Sequence, residues 1–332
     1  MRKYDIFYRE RYSAEEPWEL QANWDLFLSA YNSSERVRTV FERVRAVEKR
    51  WLVHREYGFT QQQFPTNAPV FTHHADNESD FLLEFFEGST PIDLSGRSLC
   101  VDITGFMRPH LMFLMRYLSY KNVPRLDVLY TEPVQYAALH KTTFAKGMVG
   151  TVRQVAGFQG QHAPSSQSQD LLIIGSGYEH ELIKHIAESK VSARKLQVFG
   201  FPPLQPDFYQ EGILQAELAA EAVSPTDEAD VYFAPAYDPF ETAAVLSDIV
   251  EVERSRRSIT NLYLSPLATR AQALGFALYY LYECQNQAAS IIYPFAVEYA
   301  QDTASGVSRV WRYTVELPQV PLSNVATGAS FP

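Results

Sequence analysis

The residues with the most chemical potential lie in "CVDITGFMRPH", residues 100–110. An apolar run ends there in Asp102, Thr104 and Gly105, and a helical stretch opens on Arg108 and Pro109. A cation is disfavoured at a helix start, where unpaired N–H groups make the end partially positive. An anion held between Arg108 and those N–H groups would reverse the penalty, as a phosphate or carboxylate does. Folding of Arg108 onto Asp102 or Glu132 would serve equally. Arg270, with Ser265 and Thr269 before it, repeats the arrangement without an obvious acidic neighbour in sequence. A third polar turn, Gly175-Ser176-Gly177-Tyr178, follows another apolar run. Asp102, Glu132 and Asp238 all fall at expected strand ends, where paired carboxylates could act as acid, base or nucleophile in nucleotide hydrolysis or glycosyl transfer. Carboxylates in such places also serve as helix N-caps.

Other chemistries find no support. "IIGSGYEH" has His180 where a dinucleotide fingerprint needs its third glycine, and the next strand ends "QVFGF" without a ribose-binding acid. Ser176 is flanked directly by glycines, unlike a hydrolase nucleophile. No Gly-Lys-Ser/Thr phosphate loop occurs; Gly157 and Gly160 read as a tight turn. His73, His74 and Asp76 make at most half a metal site, since adjacent side chains point apart. No cofactor and no metal are expected.

The 332-residue chain is 46% hydrophobic and carries a formal charge of −10, which argues against a general nucleic-acid surface. Cys100 and Cys284 sit in apolar segments and read as buried free thiols, so no disulfide framework is expected. The start, "MRKYDIFYRERY", has no signal-peptide core, and no apolar run is long enough to span a membrane. A cytoplasmic protein with no membrane partner is expected.

The elements that must position these residues are strands alternating with helices. Strand-like runs occur at 24–28, 70–72, 99–103, 126–130, 171–174, 196–199, 231–234, 262–264 and 291–293. Over 34–52, Val37, Val40, Phe41, Val44, Val47 and Trp51 share one helical face, and Arg36, Arg38, Arg43, Arg45 and Lys49 the other, which reads as a solvated, paired face. The alternation predicts an α/β protein with mostly parallel sheets.

The pattern also occurs twice in one order. The segment from Leu26 resembles that from Leu172, Val70 onward resembles Tyr232 onward, and "CVDITGFMRPHLMFLMRYL" resembles "LYLSPLATRAQALGFALYYL". These matches pair Asp76 with Asp238, Arg108 with Arg270, Tyr136 with Tyr299, Thr143 with Thr303 and Gly147 with Gly306. Two tandem Rossmann-like repeats with pseudo-two-fold symmetry are expected: the first within 1–158, the second within 171–316, a linker at 159–170, a loop at 221–230 and a loosely packed tail at 317–332.

"CVDITGFMRPHLMFLM" resembles the strand–turn–helix signature of CRISPR-associated Rossmann-fold sensor domains, in which a strand ends in Asp-x-Thr-Gly. "IIGSGYEHELIKHI" is similar to their other ligand loop. Gly105-Phe106-Met107-Arg108 stands where that family has Gly-Gly-Thr-Lys. The resemblance implies binding of an oligonucleotide signal between two copies, here by Thr104, Arg108, Ser265, Thr269 and Arg270, and a role in antiviral defence. No nuclease or DNA-binding segment is recognised, so a protein partner would act on the signal. A nucleotide- or phosphorylated-ligand-binding sensor is the resulting expectation. A nucleotide hydrolase or glycosyl-transferring enzyme and a non-catalytic interaction subunit are the alternatives.

Overall fold

A computed structural model of the chain describes residues 4, 6–13, 23–75, 77–136, 145–162, 169–223, 231–299 and 304–319. Asp76, Thr143 and Thr303 lie outside the described residues, as do 163–168 of the expected linker, 224–230 of the expected loop and 320–332 of the expected tail.

The elements run β1 (Tyr8–Ser13), β2 (Trp24–Ala30), α1 (Glu35–Arg43), β3 (Ala46–Val53), β4 (Val70–Thr72), α2 (Glu78–Glu87), β5 (Leu99–Asp102), α3 (Arg108–Tyr120), β6 (Arg125–Glu132), β7 (Gln135–Tyr136) and β8 (Ala145–Gln154). They continue as β9 (Leu171–Ser176), α4 (His180–Ser189), β10 (Arg194–Gly200), α5 (Pro206–Leu218), α6 (Ala220–Val223), β11 (Val231–Ala234), α7 (Pro239–Arg256), β12 (Leu262–Pro266), α8 (Arg270–Tyr279), β13 (Ala289–Tyr299), β14 (Ala304–Ser305) and β15 (Arg309–Glu316). The chain is thus α/β, with Rossmann-like alternation in both halves.

Two sheets share one strand order. The first is β1-β15-β6-β5-β2-β3-β4 and the second, read from its β8 edge, is β8-β13-β12-β9-β10-β11. Pairs among β2 to β6 and among β9 to β13 are parallel. The antiparallel pairs lie at the sheet edges: β15 on β6, β1 on β15, and β8 on β13. The antiparallel strands β15 and β8 thus each come from the other half of the sequence, and β1 is an extra edge strand of the first sheet. The compact units follow this exchange: residues 7–137 with 301–332 form one, and 1–6 with 138–300 the other. The boundary expected at 159–170 divides the sequence pattern, whereas the spatial units are cut where β8 and β15 change sheets. Residues 159–162 are pinned within their unit, the Gly160 N–H donating to Ser290 Oγ at 2.9 Å and His162 bonding Asn261 and Ser290. The tail is also tied down at its start: Leu317 N–H donates to the Pro124 carbonyl, and Ser119 Oγ donates to that of Pro318 at 2.6 Å.

The expected helix over 34–52 is corrected. The helix α1 stops at Arg43, Val44 turns extended, and 46–53 becomes β3 between β2 and β4. Val47, assigned to the apolar helical face, is 76% exposed. Lys49, returning along β3, donates to the Phe41 carbonyl at 2.7 Å and so places a cation at the C-terminal end of α1. Phe41 stacks on Trp51 at 3.6 Å between centroids, fastening the helix to the strand. Trp24, Phe27, Val37 and Val40 complete this core. The basic face is corrected with it: Arg36 is buried at 3% exposure. Cys100 and Cys284 are buried free thiols.

Candidate functional site

In each sheet the chain first adds strands on one side of the opening strand, then crosses to the other side. The crossings fall between β2 and β5 and between β9 and β12. Beyond the carboxyl ends of such strand pairs a crevice opens, and α/β proteins bind ligands there. Both crevices hold residues singled out in the sequence.

In the first, β2 and β5 pair with Leu26 opposite Leu99 and Ser29 opposite Asp102. Asp102 is fully buried. Its Oδ2 accepts from Ser29 Oγ at 2.9 Å, and its Oδ1 from the Thr104 N–H at 3.0 Å. Burial pushes its pKa up, while these bonds and the charge of Arg36 oppose the rise. Arg36 reaches across from α1 to donate to the Thr131 carbonyl at 2.8 Å. The Thr131 N–H in turn donates to Thr104 Oγ1 at 3.0 Å. Gly105 completes the turn, because a Cβ there would stand 1.8 Å from the Ala30 carbonyl oxygen. Arg108 then opens α3, with Pro109 in its first turn.

Glu132 ends β6, beside this turn, and is fully buried. Trp311 Nε1 donates to it at 2.6 Å, and Arg309 pairs with it at 3.4 Å. Burial raises its pKa against both contacts.

In the second crevice, β9 and β12 pair with Leu171 opposite Leu262 and Ile174 opposite Ser265. Ser265 therefore holds the register position of Asp102. It is fully buried, and its hydroxyl has no hydrogen-bonding partner among the described residues. Gly175 lies under the Phe276 ring, 3.0 Å from where a Cβ would stand. Ser176 Oγ donates to Gln197 Oε1 at 2.7 Å. Gly177 again closes the loops together, since its Cβ would meet the Leu267 carbonyl oxygen at 2.5 Å. Tyr178 packs edge-on against Phe208. Thr269 caps α8, accepting from the Gln272 N–H at 3.1 Å, and its hydroxyl donates to the Ala236 carbonyl. Arg270 is the first residue of α8.

Asp238 belongs to the same unit but to another turn. It caps α7, its Oδ1 accepting from the N–H groups of Phe240 and Glu241 at 3.0 and 3.1 Å. Asn77 performs the corresponding service for α2, accepting from the Asp80 N–H at 2.8 Å. Thus Asp102, Thr104, Gly105, Arg108 and Glu132 gather in one unit, and Gly175, Ser176, Gly177, Tyr178, Ser265, Thr269 and Arg270 in the other.

The helix starts separate into two kinds. The first turns of α1, α2, α4 and α7 carry Glu35, Glu78 with Asp80, Glu181 and Glu241, as the helix dipole favours. The first turns of α3 and α8 carry no acid and open on half-buried arginines. These two helices follow β5 and β12, the strands that flank the crossings. Arg36 went unrecognised as part of the site. Its helical spacing sets it one turn before Val40, but it is the distant Thr131 carbonyl that turns it inward.

A cavity of about 920 Å3 opens at the other end of the first sheet. Ser98, Lys121, Asn122 and Arg125 line it, at the amino ends of β5 and β6 and the C-terminal end of α3. The C-terminal end of α3 presents carbonyls there, so the cavity lacks the helix-start potential of the crevices. No helix among the described residues is long and apolar enough to cross a membrane.

No family model matches the chain, and no curated protein matches it. Among solved structures it is similar to CobK precorrin-6A reductase, at 11% identity over 82% of this chain and 89% of that one, with a TM-score of 0.23.

Proposed function

We propose that this chain binds nucleotides or other phosphorylated small molecules at the turn beyond β5 in one unit and at the turn beyond β12 in the other, and that it reads such a ligand rather than transforming it. One observation carries the reading: the two helices that start beside the strand crossings open on Arg108 and Arg270 with no acid in their first turns, whereas the first turns of α1, α2, α4 and α7 carry acids. An anion between a guanidinium and helix N–H groups makes that exception favourable. Ser265 adds a buried hydroxyl at the same level. The engagement of Asp102, Glu132 and Asp238 in turn-holding, clamping and capping contacts favours binding over turnover. By the resemblance of the 100–110 turn to CRISPR-associated sensor domains, the ligand is a signalling nucleotide in antiviral defence, and a protein partner carries out the response.

The test is a melting-temperature screen of the full chain against mononucleotides, cyclic and linear oligonucleotides, and the matching nucleosides. A ligand at a hundred times its Kd stabilises the folded state by about 2.7 kcal/mol. Phosphorylated members should raise Tm, nucleosides should not, and Arg108→Ala should lose the shift. Unchanged melting across the panel would point to an interaction subunit. Product release from a bound nucleotide, abolished in Asp102→Asn and Glu132→Gln, would point to the enzyme.

A further inference from the structure

His54, Glu56 and His110 converge beside the first crevice, although the sequence separates them widely. His54 directly follows β3, Glu56 lies in a single 3-10 turn at Arg55–Tyr57, and His110 is in the first turn of α3. One ligand atom from each lies within 4.8 Å of the others. The imidazole rings stand 4.3 Å apart between centroids, and both are buried, at 0% and 5% exposure. Glu56 is half-buried.

We propose that these three side chains bind a divalent transition ion of the zinc class. Two imidazoles side by side with a carboxylate bring together two nitrogen donors and one oxygen donor, the set that catalytic zinc sites use. The setting is aromatic: Phe81 stands 5.2 Å from His54 and 5.4 Å from His110, and Phe106 stands 5.5 Å from His54. A low-polarity wall of this kind strengthens the attraction between an ion and the Glu56 carboxylate. Imidazole with carboxylate suits zinc among the borderline ions. Ligands of one zinc ion stand about 3.3–3.6 Å apart at bond lengths of about 2.0–2.2 Å, so side-chain rotation of about an ångström completes the geometry. Three protein ligands leave a position for water or an incoming oxygen. The supports are in place as well: Tyr57 Oη donates to the Gly105 carbonyl at 3.0 Å, tying the turn that carries Glu56 to the turn that precedes His110. The site stands independently of the anion reading, because none of its ligands is among the anion-binding residues.

The test uses the full chain, stripped with a chelator and titrated with Zn2+ alone by calorimetry, then with Co2+ to read the visible absorption of a four-coordinate ion. The expected result is one ion per chain, a Tm raised by zinc, and a tetrahedral Co2+ spectrum. Glu56→Gln, at a half-buried position, should keep the fold and weaken zinc about tenfold to a hundredfold. His110→Gln should weaken it further, and the paired substitution His73→Ala with His74→Ala should leave uptake unchanged. Absence of stoichiometric zinc would overturn the proposal. So would wild-type affinity in Glu56→Gln, or loss of uptake on replacing His73 and His74. Should His110→Gln fail to fold, Glu56→Gln and the Co2+ spectrum decide.

Discussion

Asp102 and Ser265 occupy one position in two sheets of the same strand order, and their surroundings have diverged. Opposite Asp102 stands Ser29, which donates to it; opposite Ser265 stands Ile174, which cannot. The first crevice holds a buried carboxyl that Ser29 and the Thr104 N–H satisfy and that the charge of Arg36 favours. The second has a neutral hydroxyl at that position, with Ser176 paired to Gln197 and Thr269 to Gln272. Two backbone features are common to both: a glycine where two turns touch, Gly105 or Gly177, and an arginine opening the helix that follows β5 or β12. The scaffold is thus shared while its interior polar groups are exchanged: the Asp102 carboxylate accepts two hydrogen bonds, and the Ser265 hydroxyl has no partner among the described residues. The retained feature is the helix-opening cation.

Substitutions that separate the two crevices sharpen this comparison. The largest difference should come from the glycines. Gly105→Ala drives a Cβ into the Ala30 carbonyl and should cost about 4 kcal/mol or prevent folding. Gly175→Ala meets only the Phe276 ring and should cost about 1 kcal/mol. Urea denaturation of the pair checks the ratio; equal losses would mean the first crevice is not held by that contact.

The carboxylate comes next. Asp102→Ala leaves Ser29 Oγ and the Thr104 N–H without their buried acceptor and removes the carboxylate near Arg36, which should cost about 3 kcal/mol. Ser265→Ala removes an unpartnered buried hydroxyl and should stay within about 1 kcal/mol of the parent. Similar values for both would break the comparison.

A smaller effect lies in the pH dependence. Burial holds the folded pKa of Asp102 above the ordinary carboxylate value of 3.8. Between the ordinary and the raised value the native state binds more protons than the unfolded chain, so this contribution to stability declines as pH rises through that window. It is fully present below 3.8. Asp102→Asn should reduce the decline, leaving the share of Glu132, whose pKa is also raised. Ser265→Ala should leave the slope unchanged. Denaturant midpoints measured across the acid range read the difference.

The apolar runs at 99–103, 171–174 and 262–264 are legible as strands because buried parallel strands carry continuous apolar residues. Their polar ends then locate the turns with Thr104, Gly105, Gly175 and Thr269. The region 46–53 misleads because Val44, Val47 and Trp51 fall at spacings of three and four, which fit a helix. The extended backbone at Val44 and the neighbouring strands decide otherwise. Partnership is also not written locally. The 145–154 and 309–316 segments match in order along the chain, but nothing in their periodicity says that each pairs with the other half's sheet. Arg36 and the His54–Glu56–His110 group are hidden for the same reason, since long-range packing alone turns a helical arginine inward and brings His54 to His110.

The central claim is that the arginines opening α3 and α8 each hold a negatively charged ligand in the crevice of their own unit. Calorimetric titration of the parent chain, Arg108→Ala and Arg270→Ala with the tightest nucleotide from the melting screen tests it directly. Loss of a charge-assisted contact should weaken binding about tenfold or more in each variant, and the matching nucleoside should bind far more weakly than the nucleotide. Parent-like affinity in both variants, or equal affinity for nucleoside and nucleotide, would contradict it.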